Sequence, residues 1–430
     1  MGPGGVIAGN LYAADGRIAE LPSRRTDAER VIDASGRVVI PGFVQAHVHL
    51  CQTLFRGLAD DMDVVDWLRK RVWPLEQAHD AASLHASAAL GVAELLRCGT
   101  TSVLAMETTK HTEQAFLAAE QLGIRATIGP ALMDSWEPGT EMIGQTTDEA
   151  IRDVSALLER WHGRVGRLSV ALSPRGPRNA TPDLWRACVT MAEEANIRLH
   201  THVNENRDQA ERLSREQGGR DIYALESYGA LSSRLVMAHC VWLDEGEISL
   251  LKRRGAHVCH CPSSNLKLAS GFAPVVDYLD AGINVALGAD GAPCNNNLDA
   301  FIELRLASLI HKPRYGPTAM PATRVLEMAT LGGARALGLE SDIGSLEVGK
   351  KADVVVLRRD GLHIAPTKLS TLASQIVFAH KSEDVEAVVV DGHPVVLDGH
   401  LVTGDEVKIR EAAELHRIAL LDRAGLVLPS

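Results

Sequence analysis

The sequence predicts an α/β protein: a (β/α)8 barrel of the TIM type with a small β-sandwich domain built from both termini. Three observations predict it. Eight short β-branched runs, each followed by a helix-length segment, alternate between Val38 and Leu337, the pattern of a parallel sheet that closes on itself. Turn-rich, strand-like pieces flank that stretch on both sides. Histidines and acids recur where the strands end, and barrels of this kind carry their chemistry at the C-terminal strand ends.

Residues 1–39 hold the pieces GVIAGN, YAADGRIAEL and RVIDASGRVVI, with Asp15-Gly16 and Ser35-Gly36 as hairpin signals. The far end mirrors them in DVVVLR and VEAVVVDGHPVVLDGHLV, where Asp391-Gly392 and Asp398-Gly399 are turn dipeptides. Residues 1–39 and 346–430 are therefore expected to form one composite β-sandwich domain, and 40–345 the barrel. Within the barrel the first strand is PGFVQAHVHL (41–50), followed by a polar and aromatic loop to Glu76 and a helix over 81–98 ended by Gly99. The next strands are TTSVLAM (100–106), IRATIGPALMD (124–134), LSVALSP (168–174), IRLHTHVNE (197–205), LVMAHC (235–240), AHVCHCP (256–262) and NVALGADG (284–291). Helices are expected near 111–122, 147–162, 181–195, 207–216, 244–253, 273–281, 298–310 and 322–337.

Composition narrows the function classes. The 430 residues suit a barrel with an appended layer. The net charge is −11, and the densest basic runs, Arg69-Lys70-Arg71 and Lys252-Arg253-Arg254, read as solvated helix faces. That balance argues against nucleic acid and anionic membrane as partners. No run of 18 apolar residues exists, so no membrane-spanning helix is expected, and MGPGGVIAGN lacks the plan of a signal peptide. Seven cysteines, an odd count, suggest no disulfide framework and a reducing, cytoplasmic location. Cys259-His260-Cys261 has no second Cys/His pair at finger spacing and reads as a buried strand.

His47 and His49 close strand 1 and, two residues apart on a strand, share one face. His202 and Glu205 close strand 5, His239 strand 6 and Asp290 strand 8. Each alone could be a packed or capping residue; together, at one end of eight elements, they point to a metal site. Three neutral imidazoles and a carboxylate suit Zn²⁺ or Fe²⁺ with a position left for water, whose pKa falls to roughly 7. The ligands assigned are His47, His49, His202 and Asp290. Glu205 is placed to move protons of that water, and His239 to polarise the attacked carbon's substituent or orient the water. His200 faces the same way as His202 one layer deeper and reads as barrel filling or as a support. With no lysine in LSVALSP to bridge two ions, one divalent ion is expected, Zn²⁺ ahead of Fe²⁺.

Carried by PGFVQAHVHL, RGLADDMDVVDWLRKRVWPLE, HVNE, AHC, HCPSSNLKLASG, GADGAPCNNNLD, ATLGGARALGL and IGSLEVGKKADVVVL, the chain resembles the amidohydrolase superfamily over nearly its whole length. It looks most like the branch of S-adenosylhomocysteine/5′-methylthioadenosine deaminases, guanine and 8-oxoguanine deaminases and s-triazine hydrolases. The resemblance implies a metal-dependent aminohydrolase with the same four ligands and with Glu205, His239 and Asp290 as catalytic groups. It implies substrate contacts for Glu76, in the WPxE motif, and for Gln52, three residues after His49. Where nucleoside-type deaminases carry Pro-His-Ala-Pro-Tyr, this chain has Ser173-Pro174-Arg175-Gly176-Pro177. Guanine deaminases show an arginine in a similar context, so Arg175 favours an oxo-bearing ring over an adenosine-type one. Trp67, Trp73 and Trp136 are candidates to stack on a planar ring. The expected reaction is deamination of an aminated N-heterocycle, a purine-like base or nucleoside, a pterin or a triazine, with release of ammonia. The alternative is dechlorination or ring-amide hydrolysis of an s-triazine or related heterocycle. The partner is a small heterocycle, and the family resemblance suggests a homo-oligomer.

Overall fold

The computed structural model describes residues 5–20, 28–135, 144–207, 210–211 and 220–426. Sixteen strands are found among them. A hairpin of β1 (Tyr12–Ala14) and β2 (Arg17–Ala19) opens the chain, then β3 (Val38–Pro41). The barrel follows as β4 (Phe43–His49), β5 (Thr100–Glu107), β6 (Arg125–Leu132), β7 (Leu168–Pro174), β8 (Arg198–Val203), β9 (Leu235–His239), β10 (His257–His260) and β11 (Val285–Leu287), with the short β12 (Asp290–Gly291) beyond. The chain ends with β13 (Val354–Leu357), β14 (Val385–Val390), β15 (His393–Leu397) and β16 (His400–Leu401).

β4 to β11 pair in parallel in chain order, and Leu287 of β11 closes the ring against Gln45 of β4. The helices covering this barrel begin where the sequence supplies caps. Asp80 accepts from Ser83 N ahead of Ala81–Arg97, Thr146 from Glu149 N ahead of Thr147–Trp161, and Asp244 from Glu247 N ahead of Glu245–Arg254. The expected alternation of eight strands and helices is thus present. Of the expected helix over 207–216, most lies outside the described residues, as does Trp136.

The second sheet has the order β16-β15-β14-β13-β3, antiparallel throughout, so both ends of the chain contribute. Asp15-Gly16, Asp391-Gly392 and Asp398-Gly399 each have two successive residues at positive φ, the geometry of a two-residue hairpin turn. Ser35-Gly36 turns the chain into β3, and residues 28–34 before it form no strand. The change of sheet falls at Gly42, where a Cβ would lie 2.0 Å from Thr101 Oγ1, so only glycine lets β3 leave for the outer sheet while β4 enters the barrel. Asp353, just before β13, locks the two sheets together. It accepts from Arg125 of β6 at 2.8 and 3.0 Å, and its carbonyl accepts from Gly42 N at 3.0 Å.

The loop expected before Glu76 is instead helical from Val64 to Gln77. Asp63 caps it by accepting from Val65 and Asp66 N. Val64, Trp67, Val72 and Leu75 form a buried stripe at helical spacing, hidden in the sequence by the surrounding charges and by Pro74. A wider turn over Leu68–Val72, with Trp73 N reaching Leu68 O, accommodates the proline. A helix over Glu406–Ala424, which the sequence reading did not anticipate, lies on Ala81–Arg97, tied by Arg97 to Glu406 and by Arg423 to Ala78 O. No described helix is long and apolar enough to cross a membrane.

Candidate metal centre

Three strand ends and one short strand bring the site together. Along β4, Gln45, His47 and His49 share a face by alternation. Asp290 is delivered beside them because β12 pairs with β4 in the register Asp290↔Val48, and Gln45 Oε1 accepts from Ala289 N at 2.9 Å. His202 comes from β8 across the barrel. The ligand atoms of His47, His49, His202 and Asp290 all lie within 4.8 Å of one another. His47 Nε2 and His49 Nε2 are 3.2 and 3.3 Å from Asp290 Oδ1, and His202 Nε2 is 3.3 Å from His49 Nε2.

The second nitrogen of each imidazole is already held, which fixes which nitrogen faces inward. His49 Nδ1 donates to Met106 O at 2.7 Å and His202 Nδ1 to Arg175 O at 2.7 Å, so both Nε2 atoms carry free lone pairs. His47 Nδ1 meets His200 Nε2 at 2.8 Å, which places His200 directly behind the site. Burial pushes the His47 pKa down to about 4 and that of His202 well below the ordinary range. Burial also lowers that of His49, but the bond to Asp290 and its charge outweigh this and raise it. Asp290 is pushed up by burial, yet its bonds and charges with His47 and His49 hold it well below the usual carboxylate range. Ser264 Oγ donates to Asp290 Oδ2 at 2.6 Å.

This donor set fits a divalent metal. Ligands about 2.1 Å from a tetrahedral ion sit roughly 3.4 Å apart, close to those three separations, and binding requires neutral imidazoles and an ionised carboxylate, the states favoured by burial in His47 and His202 and by the neighbouring histidines in Asp290. A buried carboxylate among imidazoles with no cation would be a poor choice on stability alone.

His239 and Glu205 stand at the rim. His239 Nε2 lies 3.7 Å from Asp290 Oδ2 and 3.9 Å from Glu205 Oε2, and Nδ1 is 2.9 Å from Asn265 Oδ1. Ser270 Oγ donates to Glu205 Oε1 at 3.3 Å, and burial raises the Glu205 pKa. Asn204, His239, Cys240 and Asp290 all adopt positive φ, at 45, 71, 47 and 63°. Non-glycine residues hold that region at a cost of about 1 kcal/mol or more each, and four of them bracket this one site.

Glu76, Arg175 and Gln52 form a second buried group. Arg175 Nη1 and Nη2 donate to Glu76 Oε2 and Oε1 at 2.6 and 3.2 Å, and Gln52 Nε2 donates to Oε1 at 2.8 Å. Arg175 O also holds His202, so this group is continuous with the four donors. Arg175 therefore spends part of its guanidinium on Glu76, and a ligand would meet the two together. Trp67 packs with Val64, Val72, Leu268 and Cys294 in a core cluster rather than standing free. Cys259 and His260 are buried within β10, as a strand reading requires.

Sequence reasoning missed the carbonyl of Met106, the side chains of Ser264, Asn265 and Ser270, and Asn204. A backbone carbonyl leaves no signal in residue type. Ser264, Asn265 and Ser270 lie within HCPSSNLKLASG, and Asn204 within HVNE, so the motifs held them without stating what they touch.

Comparison with known proteins agrees in extent. The model of the amidohydrolase family matches residues 38–395. A 5′-deoxyadenosine deaminase of Methanothermobacter thermautotrophicus is 39% identical over 96% of this chain and 94% of its own. A 5-methylthioadenosine/S-adenosylhomocysteine deaminase of Desulforudis audaxviator is 38% identical over 90% of this chain and 88% of its own. Among solved structures, an adenosine deaminase from Xanthomonas campestris with bound zinc superposes with a TM-score of 0.88 at 32% identity, covering 96% of this chain and 93% of the other.

Proposed function

The chain belongs to the amidohydrolase family and is a metal-dependent hydrolase of C–N bonds, and on that premise we propose that it removes the 6-amino group of an adenine nucleoside modified at its 5′ carbon. The observation that carries the reading is the convergence of Glu205 and His239 beside the four donors, with His239 Nε2 3.9 Å from Glu205 Oε2 and 3.7 Å from Asp290 Oδ2. The nucleoside is supported by what the two relatives are named for. One Zn²⁺ is the ion proposed, held by His47, His49, His202 and Asp290; the zinc of the similar adenosine deaminase and the lack of a lysine on β7 support one ion.

When bound, the ion supplies a Lewis acid that lowers the pKa of a water to roughly 7. The protein's own groups do the rest. Glu205 would take a proton from the attacking water and deliver it to ring N1 as oxygen joins C6. It then carries the remaining hydroxyl proton to the amino group, the C6–N bond breaks as C6=O forms, and ammonia leaves. Burial favours its protonated form, which suits a group that must hold and then release a proton. His239, with Nδ1 held by the side-chain carbonyl of Asn265, presents Nε2 to orient the water. Asp290 Oδ2 lies within reach of the same traffic, and Ser264 keeps it in place.

Glu76, with Gln52 and Arg175, is proposed to meet the nucleoside. A carboxylate offers about four lone-pair sites, and the bonds from Arg175 and Gln52 occupy three of those on Glu76, leaving room for one hydroxyl. This reading sets aside the oxo-ring preference that Arg175 implied, because the relatives named for adenosine-type substrates match most of the chain.

The test is ammonia release by metal-loaded protein from adenosine, 5′-deoxyadenosine, 5′-methylthioadenosine, S-adenosylhomocysteine and guanine. Ammonia with the matching inosine from the 5′-modified nucleosides is expected. Release from guanine alone would restore the oxo-ring reading, and chloride release from a chlorotriazine without any ammonia would select the alternative leaving group.

A further inference from the structure

Asn204 stands in the chain between the ligand His202 and Glu205, is buried to 3% exposure, and makes its hydrogen bonds to Asp221, Glu247, Val241 and Trp242. Its backbone is in the left-handed region, φ 45°, which turns the chain so that Glu205 leaves β8 toward His239. Every group that holds this turn comes from behind. Asn204 N donates to Asp221 Oδ2 at 3.1 Å, and Nδ2 donates to Glu247 Oε1 at 3.3 Å. Asn204 O accepts from both Val241 N and Trp242 N at 3.1 Å. Those two amides belong to the loop that begins with His239 and Cys240, themselves at positive φ. Arg220 completes the frame, with Nε 2.9 Å from Glu247 Oε2 and Nη2 bonded to Trp242 O.

We propose that Asn204 is a positioning residue that sets Glu205 and His239 against each other, acting as a clamp between the ends of β8 and β9 that the buried carboxylates of Glu247 and Asp221 hold from the rear. One residue fixes both partners, since its own conformation aims Glu205 and its carbonyl fixes the loop after His239. Asparagine suits the task because it tolerates left-handed backbone and offers a side-chain donor to a carboxylate. The charged groups facing the frame are Asp221, Glu247, Arg220, Asp244 and Arg178, the last acting on Asp221 by its charge. The inference rests on the reading that Glu205 moves the protons.

The experiment uses the metal-loaded enzyme with 5′-deoxyadenosine and compares Asn204→Gly, Glu247→Gln, the double variant Asn204→Asp/Glu247→Gln, and Glu205→Gln. Glycine can adopt the same turn and keeps the backbone carbonyl, but without the side-chain bond to Glu247 it no longer holds that turn in place. The double variant reverses donor and acceptor while preserving the charge count. In Asn204→Gly we expect kcat to fall about ten- to a hundredfold with KM and metal content within about twofold of the parent. The double variant restores most of the loss. Hydrogen exchange of the Val241 and Trp242 amides should quicken in Asn204→Gly and slow again in the double variant. Parental kcat in Asn204→Gly, loss of kcat only together with metal, or no recovery in the double variant would overturn the inference. An active Glu205→Gln would overturn the proton-transfer reading itself; an inactive one beside a fully active Asn204→Gly would overturn only the clamp.

Discussion

Glu76 and Arg175 face each other as a buried bidentate pair, with Nη1 to Oε2 at 2.6 Å and Nη2 to Oε1 at 3.2 Å and side-chain exposures of 5 and 9%. Neither carries an uncompensated charge, and burial of each is outweighed by the other. Glu76 is held below the usual carboxylate range although burial pushes it up, and Arg175 is raised although burial pushes it down. Removing one partner strands the other. Glu76→Ala is expected to cost about 3–5 kcal/mol in urea unfolding, whereas Glu76→Met with Arg175→Met should cost far less. Both should raise KM for the nucleoside. A single variant as stable as the parent would show that the pair is open to water in solution.

His200 has no place on the open side of the site, yet its Nε2 sits 2.8 Å from His47 Nδ1. His200→Ala leaves that nitrogen without a partner in a dry environment, so His47 loses its orientation. Metal affinity, read by competition with a chromophoric chelator, should fall about 10–100-fold. His200→Gln, which keeps an amide within reach, should recover part of it. Unchanged affinity in His200→Ala would mean the contact fills space and nothing more.

Removal of the ion itself separates binding from folding. The four donors sit on strand ends whose frame is held by protein bonds of its own, including the Gln45 to Ala289 bond and the closure of β11 on β4. Dialysis against a chelator should therefore abolish ammonia release while leaving the far-ultraviolet circular dichroism unchanged. Zn²⁺ should restore activity, and Asp290→Asn should not regain it at any Zn²⁺ concentration that saturates the parent. Cooperative unfolding on chelation would assign the ion a structural role as well.

Much of this arrangement was legible in residue order. Period-two alternation placed His47 and His49 on one face, and a residue's place at a strand end is a local property, so the strand ends bearing His202, His239 and Asp290 could be read one at a time. What could not be read is what comes from across the barrel. The Met106 carbonyl that holds His49 lies on the neighbouring strand, and the Asp353 that ties β3 to β6 is more than 200 residues from its partner Arg125. The helix over Val64–Gln77 was masked because its apolar stripe is diluted by charges and interrupted by Pro74. The pairing of Arg175 with Glu76 was equally invisible, since both residues were assigned to the substrate separately.

Two buried carboxyls away from the four donors each make a contribution to stability that falls as pH rises from about 4 to 7, against the opposite trend of buried histidines such as His47. Burial pushes Glu303 up to about 7 and Asp221 to about 6, although Ser263 and Asn295 donate to the first and Asn204 N to the second. A carboxyl whose pKa is higher in the folded chain binds protons more tightly there. Between the unfolded and folded values that carboxyl holds more proton in the native state, so its own contribution to stability declines with pH through that window. At 1.36 kcal/mol per unit, ionising Glu303 in place costs about 3 kcal/mol by pH 8. Glu303→Gln removes the titration and still offers one acceptor to Ser263, so the variant should gain on the parent as pH rises from 5 to 8 in chemical unfolding. Parallel pH curves for the two proteins would show that Glu303 is already ionised in the native state at pH 5.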